Sequence, residues 1–180
     1  MSVLRCHPTT PCPAVRELHV DVAPQGDRAL VLDYRLVAGL GGLRVPAAGA
    51  GMDPERLWEH TCFELFVAPA ESDAYIEWNF SPSGQTARFE FSGYRERRSG
   101  AASAAAPLRF ERDPQQLRLT TTVEVPAAFG SHLVVGLTAV IEDAHGECSY
   151  WALHHATDRP DFHQRDGFAR SLALPNAPTP

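Results

Sequence analysis

Along most of its length the chain alternates apolar and polar residues, in runs broken by Gly, Pro, Asp and Ser. Such period-two runs are the mark of half-buried β-strands. The runs are VRELHVDV (15–22), RALVLDYRLV (28–37), CFELFVAP (62–69), AYIEWNFS (74–81), QTARFEFS (85–92), LRFER (108–112), LRLTTTVEV (117–125), LVVGLTAVIE (133–142) and ECSYWAL (147–153). Short antiparallel strands in this number predict an all-β sandwich or barrel. Helix is scarce. MDPERLWEH (52–60) offers Asp53 as N-cap and Pro54 at the first helical position, which predicts one short connector helix. AGLGGLRVPAAGAG (38–51) and SGAASAAAP (99–107) read as loops. SPSGQ (81–85) reads as a hairpin turn in which Gly84 takes a positive φ.

The alternation also assigns faces. Ile76, Trp78 and Phe80 share one side of their strand, and Glu77, Asn79 and Ser81 share the other. In the neighbouring run Phe63, Leu65 and Val67 oppose Cys62, Glu64 and Phe66, so Glu64 sits between two residues that favour burial. A carboxylate there needs a partner or a shifted pKa. Arg88, Arg95, Arg97 and Arg98 are the nearby cations, and a polar cluster satisfied by arginine is the expectation.

Length and composition narrow the picture. The 180 residues predict a single domain, with 1–14 as an N-terminal extension and 174–180 as a tail. A net charge of -6 argues against a general nucleic-acid binder. All 16 basic residues are arginine, which removes P-loop and Schiff-base lysine chemistry. No apolar run has the length of a secretory signal or a membrane span, so a cytoplasmic protein that does not engage a membrane is expected. Cys6, Cys12, Cys62 and Cys148 form no C-x-x-C pair and read as free thiols.

Chemistry concentrates in YWALHHATDRPDFHQRDGF (150–168). His154, His155 and His163 with Asp158 and Asp161 supply enough donors for zinc, but their spacing fits no metal motif, and no metal is assigned. No G-x-S-x-G elbow is present. Glu64 and Glu77 form a candidate acid–base pair of the kind that acts on glycosides. Sugar recognition needs flat aromatic faces flanked by carboxylates, amides and guanidinium groups. Trp58, Trp78, Trp151, Tyr75, Tyr94 and Tyr150 are the available rings. Alternation sends Trp78 to the core, whereas Trp151 shares its face with Ser149 and is expected to be the platform.

The runs LWEHTCFELFVAPAESDAYIEWNFSPSGQTARFEFSGYR and VIEDAHGECSYWALHHATDRPDFHQRDGF also carry a family resemblance. They resemble the stand-alone bacterial DOMON-like domains, relatives of the family 9 carbohydrate-binding modules. The matching positions are Trp58, Thr61, Phe63, Glu64, Glu77, Asn79, Ser81, Pro82, Tyr94 and Arg95, then Glu142, Tyr150, Trp151, His154, Pro160, Asp161, Phe162 and His163. The resemblance implies an antiparallel jelly-roll β-sandwich that binds a small ligand, with sugars and haem as the ligand classes. Haem-binding members use methionine and histidine axial ligands. Here the methionines are Met1 and Met52 alone, which argues against haem and leaves only a bis-histidine site open.

The resulting expectation is a binder of a saccharide or sugar conjugate. Trp151 stacks on the ligand, and Glu64, Glu77, Asn79, Arg95, Asp161 and His163 bond its polar groups. Two alternatives stand beside it. One is an enzyme acting on a small sugar derivative, with His154 or His163 as general base and Glu64 or Glu142 as its orienting partner. The other is a protein-interaction module in which the polar cluster serves only structure.

Overall fold

The computed structural model describes residues 1–98 and 107–175. Its strands are β1 (Ser2–Val3), β2 (Arg5–Cys6), β3 (Val15–Gln25), β4 (Ala29–Ala38), β5 (Cys62–Pro69), β6 (Tyr75–Phe80), β7 (Thr86–Phe91), β8 (Arg109–Arg112), β9 (Gln116–Glu124), β10 (His132–Glu142), β11 (Cys148–Ala152) and β12 (Arg170–Ala173). They form a five-stranded sheet ordered β1-β3-β4-β9-β8 and a seven-stranded sheet ordered β2-β11-β10-β5-β6-β7, with β12 also on β10. The ladders are antiparallel. Every strand that the alternation predicts is present, and the architecture is the expected β-sandwich.

The two sheets differ in how their faces are used. In β4 buried and half-buried residues alternate strictly, with Leu30, Leu32, Tyr34, Leu36 and Ala38 facing inward. That sheet has one dry face and one wet face, the usual antiparallel arrangement. In β6 every residue is buried, and in β5 all but Pro69. Phe63, Leu65, Val67, Ile76, Trp78 and Phe80 join the core between the sheets. Their neighbours Cys62, Phe66, Ala68 and Tyr75 join a second cluster, with Leu57, Ala87, Phe89, Phe91 and Phe168, on the outer face.

That second cluster exists because two segments lie over the sheet. The predicted connector helix is a 3-10 turn, Pro54–Glu59, capped by the Asp53 carboxylate accepting from the Glu55 N–H, and it buries Leu57. The second cover is the run after β11. The C-terminal half of β10 pairs with β11 and its N-terminal half with β12, on the same edge. Residues 153–169 therefore leave that edge and return to it, and Phe162 and Phe168 land on the outer-face cluster. Gly136 of β10 permits this docking, because a Cβ there would lie 2.9 Å from Phe168 Cδ1. At the far hairpin Gly84 does take a positive φ, 93°, and donates to the Ser81 carbonyl at 3.0 Å.

One expectation changes, and one short strand adds to those that the alternation predicts. Residues 1–14 are an integral strap: β1 pairs with β3 in one sheet, β2 pairs with β11 in the other, and Leu4 between them is buried. Likewise Arg170–Ala173 is a strand. Pairs of two to four residues are too short for alternation to register. The loop expected at 99–107 lies outside the described residues but for Pro107, as does the 174–180 tail beyond Pro175.

Tyr34 joins the sheets at the point that matters most for the site. Its ring is fully buried against Phe63, and its hydroxyl donates to the Glu64 carbonyl at 2.5 Å. Tyr34→Phe strands that carbonyl interaction and is expected to cost about 1–3 kcal/mol, read as a shift in urea midpoint at unchanged m-value. An unshifted midpoint would show that the bond is replaced within the sheet.

Candidate functional site

The outer face of the seven-stranded sheet carries a cleft of about 390 Å³. This is within the range of small-ligand sites. Its floor follows from register. Glu64 of β5 lies between Thr138 of β10 and Asn79 of β6, and Phe66, two residues on, lies between Gly136 and Glu77. Glu77 in turn faces Phe89 of β7. Because side chains alternate, the floor residues Glu64, Phe66 and Glu77 all point away from the sandwich core. Phe89 and Phe91 line one side, and Val140 and Tyr150 the other. Trp58 of the 3-10 turn, Arg95 and Arg97 of the turn after β7, and Pro160–His163 of the covering segment complete the wall.

The two floor carboxyls are 2% and 6% exposed. Thr138 Oγ1 donates to Glu64 Oε2 at 3.0 Å, and Asn79 Nδ2 donates to Glu77 Oε1 at 2.7 Å. Among the described residues no arginine forms an ion pair with either. The expected cations are engaged elsewhere: Arg88 with Glu90, Arg95 with Asp161 and Arg97 with Glu55. Burial, and then the neighbouring Glu77, pushes the Glu64 carboxyl well above the ordinary carboxylate range. Burial likewise raises Glu77 to about 7, against the opposing hydrogen bond from Asn79. The floor is thus a pair of acids that hold protons where ordinary carboxylates have lost them.

His163 overhangs this floor. Arg95 donates its backbone N–H to the Tyr75 hydroxyl at 3.2 Å, and that hydroxyl is 2.7 Å from His163 Nδ1. A hydroxyl that accepts from Arg95 and donates to Nδ1 places the imidazole proton on Nε2, which faces Glu77 Oε2 at 3.8 Å. Burial, with Arg95 adding to it, lowers the His163 pKa to about 4, and burial raises Tyr75 to about 12. The ring is neutral at physiological pH, a donor to whatever occupies the cleft.

Asp161 holds the mouth together. It accepts from Tyr94 Oη at 2.5 Å, Arg95 Nη2 at 2.9 Å, the His163 N–H at 3.1 Å and Gln164 Nε2 at 3.2 Å. Burial works against its charge, yet the Tyr94 and Arg95 hydrogen bonds keep it below its ordinary value. Arg95 has φ 57°, a left-handed backbone that costs a side-chain-bearing residue on the order of 1 kcal/mol. The Tyr75 and Asp161 bonds hold it there.

The structure gathers Glu64, Glu77, Arg95, Asp161 and His163 on one cleft, with Asn79 beneath as the support of Glu77. It does not bring Trp151 there. Trp151 pairs with Ala139 on the inner face, is 7% exposed, and donates Nε1 to Ser149 Oγ at 2.9 Å. Its neighbour Tyr150 takes the outward position and lines the cleft. Two exposed aromatics stand at the rim: Tyr94 on Asp161, and Trp58, which lines the cleft, is 46% accessible and donates Nε1 to the Glu55 carbonyl.

The remaining candidates are apart from the cleft. Glu142 is bound by Arg44 at 3.1 Å and His60 at 2.8 Å, a structural clasp on residues 44–61. His154 is exposed and His155 contacts the Arg5 carbonyl at 2.8 Å. Among the described residues no three His, Cys, Asp or Glu side chains converge as metal ligands. Among the described residues the cleft lining has one histidine and no methionine, a donor set that does not hold haem iron from both sides. Met52 Sδ accepts from Ser81 Oγ at the β6–β7 turn.

The chain matches no protein-family model and no curated protein. It is similar in structure to a Bacteroides uniformis protein provisionally described as carbohydrate-binding, with 22% identity, a TM-score of 0.66, and coverage of 87% of this chain and 78% of that one. It is also similar to a family 9 carbohydrate-binding module from Caldicellulosiruptor kristjanssonii in complex with glucose, with 10% identity, a TM-score of 0.52, and coverage of 88% and 76%. At these identities the likeness concerns fold: the chain has the antiparallel β-sandwich of these two proteins.

Proposed function

We propose that this protein is a DOMON-like relative of the family 9 modules that binds a saccharide or sugar conjugate in the outer-face cleft. One observation carries the reading: buried polar groups with free hydrogen-bonding capacity, Glu64, Glu77 and His163, converge on the floor of an aromatic-walled cleft. Sugars need this combination, because their C–H faces favour rings and their hydroxyls favour fixed donors and acceptors. Neighbours of the same fold that are described as carbohydrate-binding add support. Trp58 and Tyr150 take the stacking role in this proposal.

Thermal or urea denaturation against mono- and oligosaccharides and sugar nucleotides tests the reading, since a ligand at 100 times its Kd adds about 2.7 kcal/mol. Trp58→Ala is expected to weaken the bound sugar about tenfold or more, and to lower stability by about 1–3 kcal/mol because half of the ring is covered and its Nε1 donates to the Glu55 carbonyl, so affinity is read on the folded variant. Unchanged affinity in that variant would remove Trp58 from the contact surface.

A second reading has one observation in its favour, the neutral His163 imidazole 3.8 Å from a Glu77 that titrates near neutrality. Such a pair can pass a proton to and from a sugar derivative. Product formation on long incubation, lost in His163→Gln, would establish turnover; a chemically unchanged ligand would leave binding alone.

A further inference from the structure

The cleft described above has an unusual charge inventory. Its lining holds Glu55, Glu64, Glu77 and Asp161 against Arg95 and Arg97, a formal excess of two negative charges when all are ionised. The guanidinium groups sit at the mouth and are matched by Asp161 and Glu55. The excess therefore falls to Glu64 and Glu77 on the floor, whose carboxyls burial keeps protonated until a cation takes the protons' place.

Each floor carboxyl keeps an oxygen for a ligand. Glu64 uses Oε2 on Thr138, and among the described residues no donor reaches its Oε1. Glu77 uses Oε1 on Asn79, and among the described residues its Oε2 meets only the long contact from His163. Around them stand the rings of Phe66, Phe89, Phe91, Tyr150 and Trp58. Ring faces attract cations, and one wall already shows it, with the Arg97 guanidinium carbon 4.3 Å from the Phe89 ring centre.

We propose that the group recognised on the cleft floor is a protonated amine, seated between the Glu64 and Glu77 carboxylates and against the surrounding aromatic rings, so that the saccharide is an amino sugar. The inference rests on the saccharide reading above and narrows it. A hydroxyl in the same place would leave two buried carboxyls without an ion-pair partner among the described residues, Glu77 sensing Arg95 and Arg97 only from the mouth, and both would be neutralised by protons. An ammonium supplies the counter-charge directly and takes the place of those protons. The opposing charges are the mouth arginines, already paired, and the neutral imidazole of His163; Tyr75 and Tyr150 remain protonated and Cys62 is buried as a thiol.

Calorimetric titration of the full chain with glucosamine, galactosamine, their N-acetyl forms, glucose and galactose tests this. Charge-assisted hydrogen bonds exceed neutral ones by enough to predict that an amino sugar binds about tenfold tighter than its N-acetyl and hydroxyl counterparts. In Glu77→Gln, which keeps the acceptor for Asn79, that preference is expected to fall away while residual binding of neutral sugars persists. Neutral sugars binding as tightly as amino sugars would overturn the amine inference and leave the saccharide reading standing. If no sugar of either kind binds, the saccharide reading fails and the inference with it.

Discussion

Above about pH 7 the Glu77→Gln protein is expected to be more stable than the parent by on the order of 3 kcal/mol, and below about pH 4.5 the advantage is expected to vanish. Burial lifts the Glu77 carboxyl from 4.5 to about 7, so between those limits the native state keeps a proton that the unfolded chain has released. Stability that is complete below 4.5 is lost as pH rises through 7, and glutamine has no proton to lose. His163 tilts the other way. Its pKa falls from 6.5 to about 4, so the unfolded chain binds a proton that the native state refuses, and stability rises with pH across that window. The opposing slopes partly cancel in the parent. Urea midpoints at closely spaced pH values, parent against Glu77→Gln, separate them; a difference that stayed constant with pH would mean that folding leaves the Glu77 pKa where it lies in the unfolded chain.

Phe66→Ala is expected to cost about 3–5 kcal/mol, the range for emptying a buried aromatic site. Phe66 is the hub of the outer-face cluster, with ring centres 5.4 Å from His163, 5.6 Å from Phe168 and 6.2 Å from Tyr75. Its loss leaves a void under the segment that carries Asp161 and His163. Amide exchange in residues 160–168 should therefore rise by more than global destabilisation explains, and ligand binding should weaken even where the fold is retained. Exchange there that only tracked global stability would show that the Asp161 network, not Phe66, anchors the segment.

The strands were legible because both sheets alternate, and the face assignment of Glu64, Glu77 and Asn79 followed from the same arithmetic. Carrying it one strand further would have found Phe89, directly opposite Glu77. Trp151 shows where local pattern stops. A serine beside a tryptophan suggested a polar face, yet Ser149 is buried, donating to the Ile141 carbonyl and accepting from the indole. Alternation reports that two faces differ, not which one meets the other sheet. The partners of the floor carboxyls were hidden for a related reason. Thr138 lies in a distant strand, and only register brings its hydroxyl to Glu64. The strap strands were invisible because two residues carry no period.

That strap has a consequence for handling the protein. Ser2–Val3 covers the outer edge of β3 at His19 and Val20 in one sheet, and Arg5–Cys6 covers that of β11 at Trp151 and Ala152 in the other. An uncovered strand edge is a template for pairing with another chain. Trimming the first six residues would bare an edge on each sheet together, so a shortened chain would meet its first difficulty in staying apart from its copies.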